Sequence, residues 1–193
     1  MNEKSHFLKA LLKNPLGVGA VTPSSKKLAE LMVAGIEPGH DALLLELGVG
    51  TGALTSAISD ILPDASCYLG IEIDEKLVGF VREKFPDLNI LTADACTASD
   101  LHLKLALGNV RYILSGIPFV SLPKKVCENI LCEVDAFMDK GSLFRTFQYI
   151  HGFYTPPAIR LRERMNRRYG PVETSPVVLN NLPPAITLTW KTL

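Results

Sequence analysis

The chain has 193 residues, 47% of them hydrophobic, with 20 basic and 20 acidic side chains and a formal net charge of zero. That length can bury a sizeable core in one domain, and no apolar run approaches the roughly 18 residues of a membrane-spanning helix. No secretory leader pattern opens the chain, and Cys67, Cys96, Cys127 and Cys132 match no zinc spacing, so they read as reduced thiols of a cytoplasmic protein with no metal. The neutral total conceals a polarity. Residues 1–30 carry five lysines against Glu3 and Glu30, a net +3. Residues 145–170 carry six arginines against Glu163, a net +5, whereas residues 41–100 carry eleven acids against three bases, a net −8. Basic segments sharing one face would attract an anionic surface, either lipid headgroups or nucleic acid.

In chain order, residues 2–13 read as a short amphipathic helix. Phe7, Leu8, Leu11 and Leu12 fall on one side, Lys9 and Lys13 on the other, and Pro15 and Gly17 end it. So short a helix is marginal alone in water, so its apolar face needs a cover: the core, or a bilayer headgroup layer with the lysines reaching phosphates. Pro23 and the two serines after it open a helix over 26–34, which Pro38-Gly39 separates from the next element. Leu43-Leu44-Leu45-Glu46-Leu47 then runs into Gly48-Val49-Gly50-Thr51-Gly52. An apolar run stopped by glycines is a buried parallel strand turning into a helix, here from Ala53 onward with Leu54, Ala57, Ile58 and Ile61 inward. The Glu-x-Gly-x-Gly-x-Gly spacing differs from the Gly-x-Gly-x-x-Gly of a dinucleotide site.

A second strand spans 67–74. Its Glu72 lies about 20 residues past the glycines, where a doubly wound nucleoside site needs a carboxylate for ribose hydroxyls. Asp74 caps a helix over 75–84. A third strand at 88–91 leads into Asp94 and Ala95 on the same rim, and a fourth at 110–114 leads into Ser115-Gly116-Ile117-Pro118-Phe119. A helix over 126–137, a strand over 143–150, a loop at 151–157 and a basic helix over 159–168 follow. Two further strands, at 177–179 and 185–190, flank Asn181-Leu182-Pro183-Pro184. The expected fold is α/β: a doubly wound, Rossmann-like, seven-stranded and mostly parallel sheet in a single domain, 1–193. Residues 1–14 form its amphipathic helix and residues 40–193 its binding core.

The glycine loop resembles motif I of the S-adenosylmethionine-dependent methyltransferases. The resemblance implies that Glu46, Gly48, Gly50 and Gly52 wrap the methionine part of S-adenosyl-L-methionine, with the acid near its amino group. It also implies that Glu72 holds the ribose and that Asp94, with Ala95, meets the adenine. The turn after the fourth strand resembles the Asn-Leu-Pro-Tyr motif of ribosomal RNA adenine dimethyltransferases. Gly116, however, stands where that family has the asparagine that accepts from the adenine amine, which counts against a nucleic-acid acceptor.

The chain as a whole resembles the soluble bacterial phospholipid N-methyltransferases. The marks are the N-terminal amphipathic helix, Pro15 to Ser25, Ser115-Gly116-Ile117-Pro118, Phe147-Gln148-Tyr149 and Asn181-Leu182-Pro183-Pro184-Ala185. The resemblance implies a monotopic enzyme on the inner leaflet of the cytoplasmic membrane, docked through Phe7, Leu8, Leu11, Leu12, Lys9 and Lys13. Its acceptor would be the amine of an aminophospholipid, phosphatidylethanolamine on the way to phosphatidylcholine, or of an ornithine-type aminolipid. The Ser115, Gly116 and Pro118 turn and the Tyr149 hydroxyl would orient that amine, and the arginines of 160–168 would match a lipid phosphate. The alternatives are a ribosomal RNA adenine N6-methyltransferase and a non-catalytic nucleoside-binding module.

Overall fold

A computed structural model describes residues 25–192. The expected helix over 2–13 and the Pro15–Ser24 stretch lie outside the described residues. Seven strands form one sheet in the order β3-β2-β1-β4-β5-β7-β6. They are β1 (Leu43–Leu47), β2 (Tyr68–Glu72), β3 (Ile90–Thr92), β4 (Val110–Ser115), β5 (Leu143–Tyr149), β6 (Glu173–Thr174) and β7 (Ala185–Lys191). The first five run parallel, and β7 pairs antiparallel with both β5 and β6. Strand order reverses between β1 and β4, so a crevice opens there at the carboxyl ends of the strands.

Side chains of β1 alternate between two cores. Leu43, Leu45 and Leu47 pack with Ile113, Ile130, Val134 and Leu161 on one face, whereas Leu44 packs with Met32, Ile58, Val78 and Val81 on the other. The first face is covered by α4 (Ala98–Lys104), α5 (Lys124–Met138) and α6 (Pro156–Tyr169). The second is covered by α1 (Lys26–Val33), α2 (Ala53–Ser59) and α3 (Glu75–Lys84). All five β1 residues are buried, as a parallel strand sandwiched between helical layers requires. Among the described residues no helix is long and apolar enough to cross a membrane.

Local chemistry sets the helix starts. Ser25 Oγ accepts from Leu28 N at 3.3 Å and Asp74 Oδ1 accepts from Lys76 N at 2.9 Å, each satisfying an otherwise free N–H at a helix start. Arg145 closes the other end of α1, donating to the carbonyls of Leu31, Met32 and Ala34 at 3.3, 3.0 and 2.8 Å. The Asn181 side chain accepts from Ser25 N at 2.8 Å and donates to Pro183 O at 2.6 Å, so the Asn-Leu-Pro-Pro stretch ties the start of α1 to the approach to β7.

Three expectations shift. The strand expected at 177–179 is absent: Pro176 has no N–H to donate, Val178 makes only an isolated bridge to Ala185, and the short β6 lies at Glu173–Thr174 instead. The third strand moves to Ile90–Thr92 because Leu88 N closes a turn onto Phe85 O at 3.2 Å. Helix α4, not foreseen, follows a one-turn 3-10 segment at Ala95–Thr97.

The arginine-rich helix also departs from expectation. Arg164 donates to Asp135 at 2.7 and 3.2 Å and to Glu128 at 3.0 Å, and Arg168 to Asp135 at 3.2 Å and Asp139 at 2.6 Å. Tyr169 adds a 2.7 Å bond to Asp135, which is 6% exposed. These two arginines pin α6 to α5, each already paired with acids of the facing segment. Removing the buried acid leaves Arg164 with Glu128 alone and takes an acceptor from Tyr169, so Asp135→Ala is expected to cost about 3 kcal/mol in urea unfolding. Asp135→Leu combined with Arg164→Met is expected to recover most of it. Equal losses in the two variants would mean that packing, not charge, holds this contact.

Candidate active site

The crevice is built by four strand exits. The loop after β1 passes through Gly48, Gly50 and Gly52 at φ of 78°, 59° and 80°, backbone that L side chains rarely adopt. Gly48 N donates to Ile71 O and Gly116 N to Leu47 O, both at 2.9 Å, so the exits of β2, β1 and β4 are laced together. The two loops meet glycine on glycine: a Cβ at Gly116 would stand 2.7 Å from Gly48 O, and one at Gly48 2.7 Å from Ile117 Cγ1. At Gly50 the space is open, with nothing within 4 Å of an added Cβ.

Glu46, Glu72, Asp94 and Ala95 sit at or behind this rim. Glu46 points from β1 toward α2, wholly buried, and its Oε2 accepts from Tyr68 Oη at 2.6 Å and from Thr55 Oγ1 at 2.9 Å. Its Oε1 is buried without a partner. Burial, opposed by those two hydrogen bonds and aided by the nearby Glu72, raises its pKa from 4.5 to about 8. The Glu72 carboxylate braces the loop: Oε2 accepts from Gly50 N and Oε1 from Asp74 N, each at 2.9 Å. Asp94 Oδ1 accepts from Cys96 N at 2.9 Å, capping the turn that begins at Ala95.

The turn after β4 uses most of its own polar groups. Ser115 is fully buried; its hydroxyl donates to Leu47 O at 3.4 Å and accepts from Ile117 N at 3.2 Å, and its carbonyl accepts from Thr146 Oγ1 at 3.1 Å. The Ile117 and Pro118 carbonyls accept from Phe119 N and Ser121 N, both at 2.9 Å. Ser115 and Pro118 therefore shape the turn, and Gly116 O is the carbonyl that it leaves available. Tyr149 ends β5 with its ring stacked on His151 at 5.7 Å and its pKa raised by burial. Its side chain shares the α1 face with Phe147 and Leu28.

The residues fit an S-adenosylmethionine molecule on three observations. An unpartnered buried carboxyl oxygen lies behind the glycine loop, the loop leaves room at Gly50 for a close approach, and two further acids, Glu72 and Asp94, follow the neighbouring strands β2 and β3 along the same rim. Gln148, whose Nε2 is also buried without a partner, was not singled out from the sequence as a site residue; an amide inside an apolar strand was the available signal.

No family model matches the chain. It is 24% identical over 183 residues to an ornithine lipid N-methyltransferase of Singulisphaera acidiphila, spanning 93% of this chain and 91% of that protein. It is 32% identical over 108 residues to ribosomal RNA small subunit methyltransferase A of Prosthecochloris aestuarii, which spans 56% of this chain and only 39% of that protein. Among solved structures, it is similar to magnesium protoporphyrin IX methyltransferase from Synechocystis with bound S-adenosylmethionine, at a TM-score of 0.65 and 13% identity over 100% of this chain and 98% of that one. The fold is therefore the α/β, Rossmann-like methyltransferase fold, and the likenesses support S-adenosylmethionine-dependent methyl transfer with S-adenosylmethionine as the cofactor.

Two variants probe the crevice. Glu46 keeps its proton in the folded state up to about pH 8, whereas the unfolded chain releases it near 4.5. Its contribution to stability is thus complete below pH 4.5 and is lost as pH rises toward 8. Glu46→Gln is expected to flatten that slope in thermal melts, to melt above the parent at pH 8, and to bind S-adenosylmethionine at least ~10-fold more weakly for want of the acidic group whose Oε1 is left without a partner. An unchanged pH slope would mean that Glu46 is ionised in the fold. Gly116→Ala drives a Cβ against Gly48 O, so it is expected to cost about 1–3 kcal/mol and to weaken cofactor binding, read by calorimetry.

Proposed function

We propose that the chain is an S-adenosylmethionine-dependent N-methyltransferase that methylates the primary amine of a membrane aminolipid, phosphatidylethanolamine or an ornithine-type lipid. The observation that carries this reading is the nearly end-to-end likeness to an ornithine lipid N-methyltransferase. The likeness to the ribosomal RNA enzyme favours a second reading, an adenine N6-methyltransferase, but it stops at 39% of that protein. Gly116 also weighs against it. An asparagine there needs a Cβ where Gly48 O already lies at 2.7 Å, so a polar handle for adenine does not fit this turn.

Bound in the crevice, S-adenosylmethionine supplies an electrophilic methyl carbon next to a good leaving sulfur. The residues proposed to hold it are Glu46, Gly48, Gly50, Gly52, Glu72, Asp94 and Ala95. The chain's own work is alignment: an amine held in line with that carbon gains from lost freedom rather than from a strong base. Gly116 O accepts a hydrogen bond from the incoming nitrogen and the Pro118 ring keeps the turn rigid. Tyr149, whose hydroxyl stays protonated because burial raises its pKa, orients the headgroup rather than removing a proton. The ammonium proton leaves to water before transfer.

The partner is the anionic inner leaflet of the cytoplasmic membrane, met by Phe7, Leu8, Leu11 and Leu12 with Lys9 and Lys13. Methyl-labelled S-adenosylmethionine is supplied with bacterial lipid vesicles in one tube and ribosomal RNA in another. Label in an aminolipid is the expected result; label confined to RNA overturns the proposal. Removing residues 1–13 is expected to lower activity on anionic vesicles ~10-fold or more while leaving cofactor affinity intact, and 0.5 M salt is expected to weaken vesicle binding of the full chain. Full activity of the truncated chain would remove the docking role.

A further inference from the structure

An aminolipid headgroup carries an anion a few bonds from its amine: a phosphodiester in phosphatidylethanolamine, a carboxylate in a free amino-acid headgroup. A crevice that aligns the amine gains from gripping that anion too. The arginine-rich helix α6 looks suited to this from composition, yet Arg164 and Arg168 are held by Asp135, Glu128 and Asp139. Arg162 is different. It takes part in no ion pair among the described residues; its Nη1 donates to Gln148 Oε1 at 2.7 Å, and its guanidinium lies 3.8 Å over the Phe153 ring. A neutral amide and an aromatic face position the cation without neutralising it.

Gln148 supplies the second half. Along β5, Phe144, Thr146 and Gln148 alternate into the buried face. Thr146 pairs with Ser115, the last residue of β4, and donates to its carbonyl. Gln148 lies two residues further, about 6.7 Å along the strand, at the level of the turn that follows Ser115. It is 4% exposed. Arg162 fixes which end of the amide is oxygen, and the other end, Nε2, is a buried donor with no partner. A buried donor left unpaired lowers stability, so a strand retains one only where something compensates for it.

We propose that Gln148 Nε2 and the Arg162 guanidinium form the anion subsite of the acceptor crevice, binding the headgroup phosphodiester or carboxylate while the amine meets the Gly116 turn. The inference rests on the aminolipid reading and adds to it a specificity device. An amine without a nearby anion lacks this grip and is a poor acceptor.

The test uses the full chain with short-chain phosphatidylethanolamine or short-chain ornithine lipid in neutral detergent micelles, which takes surface charge out of the measurement. For the lipid that the parent methylates, Gln148→Leu and Arg162→Gln are each expected to raise KM for lipid about tenfold. The KM for S-adenosylmethionine is expected to stay put, and Arg162→Lys to recover part of the loss. Gln148→Leu deletes the unpaired donor together with the acceptor of Arg162, so melting temperatures of both variants are compared with the parent, and a raised lipid KM in a variant that melts with the parent separates this role from a structural one. Which of the two lipids shows the effect names the anion. Unchanged lipid KM in both variants, with an active parent, overturns the subsite alone. A parent that methylates neither lipid overturns the aminolipid reading and the subsite with it.

Discussion

Two backbones touch at the switch point with no side chain between them. Gly116 leaves β4 against the carbonyl of Gly48, and Gly116 N closes onto Leu47 O. Here the two loops approach more closely than side chains allow, since a Cβ at Gly116 would stand 2.7 Å from Gly48 O. On the other side of the glycine loop, Gly50 N donates to the Glu72 carboxylate at 2.9 Å. Along the rim the glycine loop therefore stands between Glu72, at the end of β2, and the Pro118 turn, after β4.

The same packing separates two carboxyl groups that lie close in space. Glu46 is enclosed by the sheet and α2, meets only a phenol and an alcohol, and holds its proton up to about pH 8. Glu72 stands at the strand end and receives two backbone N–H groups. Burial favours the neutral form of Glu46. One acid is thereby suited to answer a cation that arrives with the cofactor, and the other to accept from neutral hydroxyls while bracing the loop. The orphaned Oε1 of Glu46 is the structural trace of that division: it is a lone pair for which the protein supplies no donor.

Much of the frame was legible because its signals are local. Three leucines before an acid and three spaced glycines mark β1 and its loop, and Asp74 marks the start of α3 to the residue. The failures were also physical. A run of Val177, Val178 and Leu179 reads as a strand by composition, but Pro176 and the tie between Asn181 and Ser25 hold that segment out of the sheet. Helix α4 is seven residues long with one fully buried residue, Ala98, too weak a period to announce itself. Ser115 read as part of the chemistry, whereas its hydroxyl and carbonyl are used to hold neighbouring strands, a fact that depends on Leu47 and Thr146 from elsewhere in the chain. The Arg162 cation does not differ in sequence from the other arginines of its helix. Only the placement of Glu128, Asp135 and Asp139 on the facing helix decides which arginines stay available.

That decision changes what the charge pattern means. Of the six arginines counted as one basic segment, Arg145 closes α1, Arg164 and Arg168 bind acids of α5, and Arg162 faces Gln148. Arg160 and Arg167 remain exposed. A basic side chain near an anionic bilayer contributes about 1 kcal/mol, so two exposed arginines amount to a weak attraction. Under the proposed aminolipid reading, attraction to a charged surface would depend chiefly on the lysines of residues 1–30, while α6 braces the sheet and would offer one guanidinium to the crevice. On that proposal, surface attraction and headgroup recognition would fall to different parts of the chain, so substitutions in β5 and α6 would change which lipid is accepted without changing how the chain reaches a membrane.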